Sequence, residues 1–136
     1  MNISADRGFF PVLALMLLLF PLRFLVGVLL AALIHELGHL LALKIAGGRV
    51  LSIRLRSFGA RIEAAPMSPG RTALCALAGP AAGALTIFAY KTFPELALAG
   101  LVQTVFNLLP VYPLDGGRAL KNNNKLIKLL LLWQKL

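Results

Sequence analysis

From Phe24 to Ala46 the chain is long enough to cross a bilayer, and its apolar run is interrupted in the middle by one short stretch, "LIHELGHLLAL". That stretch sets His35, Glu36 and His39 among leucines. Burying a charged group in hydrocarbon costs at least ~2.5–3.5 kcal/mol, so ionisable residues inside a span usually mark a working site. Gly47-Gly48 then ends the helix. A single soluble core is excluded by the surroundings: 59% of the 136 residues are hydrophobic and the mean hydropathy is +0.83.

The rest of the chain reads as further membrane segments around this one. Residues 9–22 form a short first segment, with Arg7 ahead of the apolar run and no small-x-small cleavage site behind it, as expected of an uncleaved anchor. Residues 24–46 are the second span. Over 49–64 the period drops to two, Leu51, Ile53 and Leu55 alternating with Ser52, Arg54 and Arg56, which predicts a β-hairpin outside the hydrocarbon. Pro66 to Gly70 is a loop. Residues 72–90 make a third span, interrupted by Gly79-Pro80 and Gly83, whose small residues allow close helix packing. Residues 96–109 make a short fourth, and 110–118 a loop carrying Leu114-Asp115-Gly116-Gly117. The expected fold is therefore an all-α transmembrane domain of about four membrane segments with a small β-hairpin on its cytoplasmic side.

The tail, 121–136, carries Lys121, Lys125, Lys128 and Lys135 on one stripe of a helical wheel, with apolar residues around the rest. Two readings are open: a helix lying in the membrane surface, or a solvated lysine face on a helix packed against its own protein. If all four segments span, twelve of the fourteen basic residues fall on the side of both termini and the hairpin, leaving Arg23 and Lys91 opposite. That asymmetry puts both termini in the cytoplasm. The formal charge of +9 does not point to nucleic acid, because the aromatic residues lie in apolar runs rather than among the basic ones. Cys75, the one cysteine, allows no internal disulfide and reads as a small core residue.

On a helix, residues four apart share a face, so His35 and His39 can aim both imidazoles at one ion with Glu36 beside them. This is the His-Glu-x-x-His pattern of zinc hydrolases. A polar cluster that glues helices together is the plain alternative. A hydrolytic zinc site needs three protein ligands and an open position. Among the remaining acids, Asp6, Glu63, Glu95 and Asp115, the last fits best, because it follows the fourth span on the side toward which the second span carries His39. His39 lies seven residues before Ala46, about 10 Å along a helix, which predicts a shallow site open to the cytoplasm. Gly116-Gly117 would let the backbone bend close to the ion. Taken alone, Asp115 reads equally well as part of an Asp-Gly turn.

"HELGH" on a membrane span followed by "NLLPVYPLDGG" resembles the site-2 protease family of intramembrane zinc metalloproteases. Asn107, Pro110, Leu114, Asp115, Gly116 and Gly117 match the family's second motif, and "ALAGPAAG" and the hairpin are similar too. The resemblance runs from about Leu25 to Leu120, covers a three-helix catalytic core, and is greatest to the sporulation branch, whose members cut a membrane-tethered sigma-factor precursor. No PDZ insertion, nucleotide-sensing domain or later transmembrane helix is visible. The resemblance implies Zn2+ held by His35, His39 and Asp115, Glu36 as catalytic base, Asn107 helping to hold the substrate backbone, a membrane-anchored protein as substrate and a bacterial cell membrane as location. Asn107 reads equally as a helix-end brace.

A substrate helix hides its peptide bonds in its own hydrogen bonds and must unwind before it is cut. A free edge on the strand around Ile53 and Leu55 would then pair with it; otherwise the hairpin only covers the site or docks on headgroups. Two competitors to an enzyme are an idle homologue that captures membrane helices or restrains a full protease, and a metal carrier, which lacks a second chain of polar residues through the spans.

Overall fold

The computed structural model describes residues 2–56 and 59–121. In chain order the elements are β1 (Asn2–Ala5), α1 (Phe9–Leu19), α2 (Leu22–Ile45), β2 (Val50–Arg56), β3 (Gly59–Ala64), α3 (Pro69–Leu85) with a 3-10 extension (Thr86–Ala89), α4 (Pro94–Leu108) and α5 (Asp115–Lys121). Among the described residues, two helices are long and apolar enough to cross a membrane: α2, with 24 residues, and α3 with its extension, 21 residues. At 11 and 15 residues, α1 and α4 fall short of the roughly 20 that a straight crossing needs. The structure thus gives two helices of spanning length where the sequence predicts about four. Of the expected tail, 121–136, only Lys121 is described; the rest lies outside the described residues.

The helices α2, α3 and α4 pack on one another in all three pairings, and α5 closes against α3. Beside Leu25 and Leu43, what they bury is mostly small or polar: Gly27, Ala31 and His35, one turn apart along α2, together with Ala76 and Gly83 of α3 and Ala97, Gly100 and Thr104 of α4. The large side chains point out, with Leu18 83% and Phe88 81% exposed. This inverts the arrangement of a soluble protein and suits a lipid solvent, where packing rather than hydrophobic burial holds helices together. Gly38 shows how tight that packing is. A Cβ there would lie 2.6 Å from the Ala78 carbonyl oxygen and 2.7 Å from the Ala82 Cβ.

The end of α2 is set by backbone geometry. Gly47 adopts φ +70°, and the amides of Gly47 and Gly48 turn back to the carbonyls of Lys44 and Leu43 at 3.1 and 2.9 Å. These two bonds form a Schellman motif, which needs a left-handed residue and therefore favours glycine. Pro80, by contrast, does not interrupt α3 as the sequence suggests. The helix runs through it, with the Pro80 ring fully buried and its carbonyl accepting a hydrogen bond from Thr104 Oγ1 at 3.1 Å.

The hairpin of β2 and β3 forms over the expected residues, antiparallel, with Ile53 opposite Ile62 and Leu55 opposite Ala60. It is not isolated. β1 pairs in parallel with β2, placing Ile3 opposite Ile53 and Ala5 opposite Leu55, so the sheet order is β1-β2-β3. β2 is the central strand, and the free edge expected at Ile53 and Leu55 is filled by the N-terminal residues of the same chain. A strand paired on both sides has no backbone groups left to offer a peptide. Across β2 and β3, Ser52 Oγ donates to Glu63 Oε2 at 2.8 Å.

Replacing Gly38 with valine should lower stability by about 1–3 kcal/mol, because α2 and α3 must separate to admit the side chain. Thermal unfolding in detergent checks this. Gly47→Ala, where a Cβ meets nothing within 4 Å, should cost about 1 kcal/mol through backbone strain alone.

Candidate metal centre

The i, i+4 spacing on α2 brings the two imidazoles to one face, as the sequence predicts, with ring centroids 4.8 Å apart and planes nearly perpendicular. Asp115 arrives eighty residues after His35, at the first turn of α5. His35 Nε2 lies 3.0 Å from Asp115 Oδ2, His39 Nε2 lies 3.1 Å from the same oxygen, and the two Nε2 atoms are 3.1 Å apart. All three residues are sequestered: His35 is 2% and Asp115 5% exposed, with His39 half-buried.

The donor set fits a tetrahedral metal ion. Bonds of about 2.0–2.1 Å to zinc give a tetrahedron with edges of about 3.3–3.4 Å, close to the triangle of ligand atoms. Hydrogen bonding supports the same conclusion. His39 Nδ1 donates to the Cys75 carbonyl at 2.8 Å, so the neutral ring turns its Nε2 lone pair toward His35 Nε2 and the Asp115 carboxylate. Electron pairs converging so closely repel unless a proton or a metal cation sits among them. Burial alone would raise the Asp115 pKa, but the hydrogen bonds and charge that the two imidazoles present when protonated, the place a metal cation would take, hold it at about 2. The carboxylate is therefore available as a ligand. Its other oxygen, Oδ1, faces Arg118 Nη1 at 3.5 Å.

Two parts of the centre have no counterpart in the sequence-based reading. Gly79 gives the His39 ring its seat: a Cβ built there would fall on the imidazole. The Cys75 backbone, not its buried thiol, fixes the His39 tautomer. The Gly-Pro pair within an apolar helix is the one sequence signal that marks this region as special. On the far side of His35, Nδ1 is buried without a hydrogen-bond partner among the described residues.

Glu36 lies beside the triangle, half-buried, with its carboxylate near the Ala60 backbone amide at the start of β3. The sheet therefore reaches the centre through β3. Gly116 and Gly117 do not bend a loop toward the ion as expected; both lie in the first turn of α5. Their missing side chains let that turn pack on its own approach: a Cβ at Gly117 would meet the backbone of Val111 and Tyr112 at 2.5–2.6 Å, and one at Gly116 the Leu109 carbonyl at 2.7 Å. Asn107, in the last turn of α4, donates its side-chain amide to the Gln103 carbonyl at 3.0 Å, the bracing contact that the sequence left open for it. Ile53 and Leu55 lie on the central strand.

No family model matches the chain. A candidate zinc metalloprotease of Synechocystis, sll0528, is 37% identical over an alignment 105 residues long that covers 65% of this chain and 27% of that protein. The chain thus spans about a quarter of the length of this curated relative. Among solved structures, the site-2 protease of Methanocaldococcus jannaschii superposes with a TM-score of 0.70 at 23% identity, over 88% of this chain and 66% of that one.

Substituting Asp115 with asparagine or His35 with alanine should reduce bound zinc to a small fraction of one per chain, measured by metal analysis after purification in detergent. Gly79→Val should do the same by displacing the His39 ring. Glu36→Gln, which leaves all three ligand atoms in place, should keep the metal.

Proposed function

We propose that this chain, whose fold is that of the site-2 protease, is a membrane-embedded zinc endopeptidase that cuts membrane-anchored proteins close to their cytoplasmic boundary. The observation that carries the reading is the triangle of His35 Nε2, His39 Nε2 and Asp115 Oδ2 on a helix of membrane-spanning length, with a carboxylate next to it. Zn2+ bound there supplies Lewis acidity, which brings a water's pKa toward ~7 and polarises a carbonyl. Glu36 takes a proton from the attacking water and returns it to the leaving amine. The nearby Ala60 amide would steady the Glu36 carboxylate for both transfers.

The substrate segment must be extended when it is cut, and its freed backbone groups need partners. β2 is filled on both sides, so the strand to receive it is β3, whose outer edge carries the Ala60 amide toward Glu36. Strand addition there would lay the peptide beside the base. Asn107 steadies the end of α4 through Gln103 and supports the substrate from that side. A tethered transcription-factor precursor, or the membrane-bound factor that restrains one, is the substrate class in keeping with the family resemblance. Both termini and the opening of the site face the cytoplasm in this reading.

The test is cleavage of a tethered substrate by the purified chain. Glu36→Gln should lose about 10²-fold or more in rate while keeping zinc; unchanged cleavage would remove Glu36 from the chemistry, and an unchanged cellular phenotype without cleavage would favour helix capture over proteolysis. Because side-chain and backbone directions alternate along a strand, the Ile62 amide points outward like that of Ala60. Ile62→Pro should then leave the ladder to β2 intact and slow cleavage. Full activity in that variant would sink pairing at β3.

A further inference from the structure

Away from the metal centre, the hairpin end of α2 and α3 carries a cavity of about 500 Å³ between Gly48 and Ser68, lined by Arg49 and Arg71 and by no acidic residue. Neither arginine has an ion-pair partner among the described residues, whereas Arg23, Arg54 and Arg118 each face a carboxylate. Directly below it, on the outward face of the same two helices, runs an apolar groove of about 290 Å³ formed by Ala42, Ile45, Leu74, Leu77, Ala78 and Ala81. The two are stacked end to end. Ala46, in the cavity wall, follows Ile45 of the groove, and Arg71 lies one helical turn before Leu74.

We infer that the cavity and groove together bind one anionic phospholipid, the phosphate between Arg49 and Arg71 and an acyl chain along Leu74, Ala78 and Ala81. Three observations select this occupant. The charge is confined to one end, where two cations with no ion-pair partner among the described residues line a cavity of mixed character, and the remainder is wholly apolar. The length matches a lipid: Arg71 to Ala81 is ten residues, about 15 Å of helix, half of the ~30 Å hydrocarbon core and so the depth of one leaflet. The walls are shaped for a chain, since Ala42, Ala78 and Ala81 leave a furrow that the exposed Ile45, Leu74 and Leu77 flank. Arginines next to a cytoplasmic leaflet also face the anionic headgroups concentrated there.

The site is independent of the protease reading, but it shares α3 with the centre. Arg71 precedes Cys75 by one turn, and the Cys75 carbonyl orients His39.

The experiment is native mass spectrometry of the full chain in an uncharged detergent, titrated with phosphatidylglycerol or phosphatidylcholine of matched acyl chains. One phosphatidylglycerol should be retained at least about tenfold more tightly than phosphatidylcholine. At roughly fivefold per basic residue near an anionic headgroup, Arg49→Gln with Arg71→Gln should abolish that preference. Ala81→Phe, at an exposed groove position, should weaken both lipids by filling the furrow. Equal retention of the two lipids by the unaltered chain would overturn the proposal without any variant. Displacement by inorganic phosphate at the same concentration would make it a free-anion site, displacement by an uncharged transmembrane peptide would give the groove to a helix, and an unaffected Ala81→Phe would remove the acyl chain. Each of these outcomes defeats it.

Discussion

Two imidazoles and a carboxylate that meet within 3.1 Å, on segments eighty residues apart, dictate how the rest of this molecule is arranged. His35 and His39 come as a pair from one helix, so their mutual geometry depends only on α2 being helical there. Asp115 carries no such guarantee. It reaches them only because α3 and α4 fold back to pack on α2, and because α5 starts where Asp115 stands. Ordering so long an intervening segment costs conformational entropy that the ligand contacts alone do not repay. The close packing of α2, α3 and α4 must hold the ligands together, and a bound cation then adds to that fold.

The packing follows from the solvent. In lipid there is little to gain by hiding leucine, so the bundle hides glycine, alanine and threonine and brings backbones close. Closeness serves the centre directly. The His39 ring occupies the space of a missing Gly79 side chain, and from there its Nδ1 reaches the Cys75 carbonyl on the same helix. One contact surface between α2 and α3 therefore joins the helices, positions a ligand and selects its tautomer. A larger residue at Gly79 would disturb all three at once, although it is neither a ligand nor a base.

The sequence reveals most where a single element contains the signal. The spacing of His35, Glu36 and His39, the alternation that marks β2 and the glycine end of α2 are all local, and each appears as expected. Where the outcome depends on a distant partner, the sequence is silent or misleading. The four residues of β1 are too few to show a period, and their pairing with β2 joins positions fifty residues apart. Asp115-Gly116-Gly117 has the composition of a turn, yet it opens a helix because the two glycines let that turn press on the chain at Leu109 to Tyr112. Gly79-Pro80 reads as a break, but burial of the proline ring among packed helices carries α3 through it. Composition alone also cannot separate a full span from a short packed helix: α1 is shorter than its expected 9–22, and α4, about as long as expected, still falls short of a straight crossing.

The filled edge of β2 changes what the sheet can do. With β1 on one side and β3 on the other, β2 is a fixed internal strand, and the sheet's open hydrogen-bonding groups on the hairpin side belong to β3. The Ala60 amide is one of them, and it lies near the Glu36 carboxylate. The same strand edge thus faces the carboxylate proposed as the base at one point and offers its next outward amide two residues further along. A peptide pairing there would be placed by the strand that places the base, so the distance between scissile bond and Glu36 would be set by the pleat of β3, not by the independent motion of two loops. In this arrangement β1, paired along the other edge of β2, would stiffen the strand on which β3 rests, and under the proposed strand addition that would narrow the range of positions a paired peptide can take.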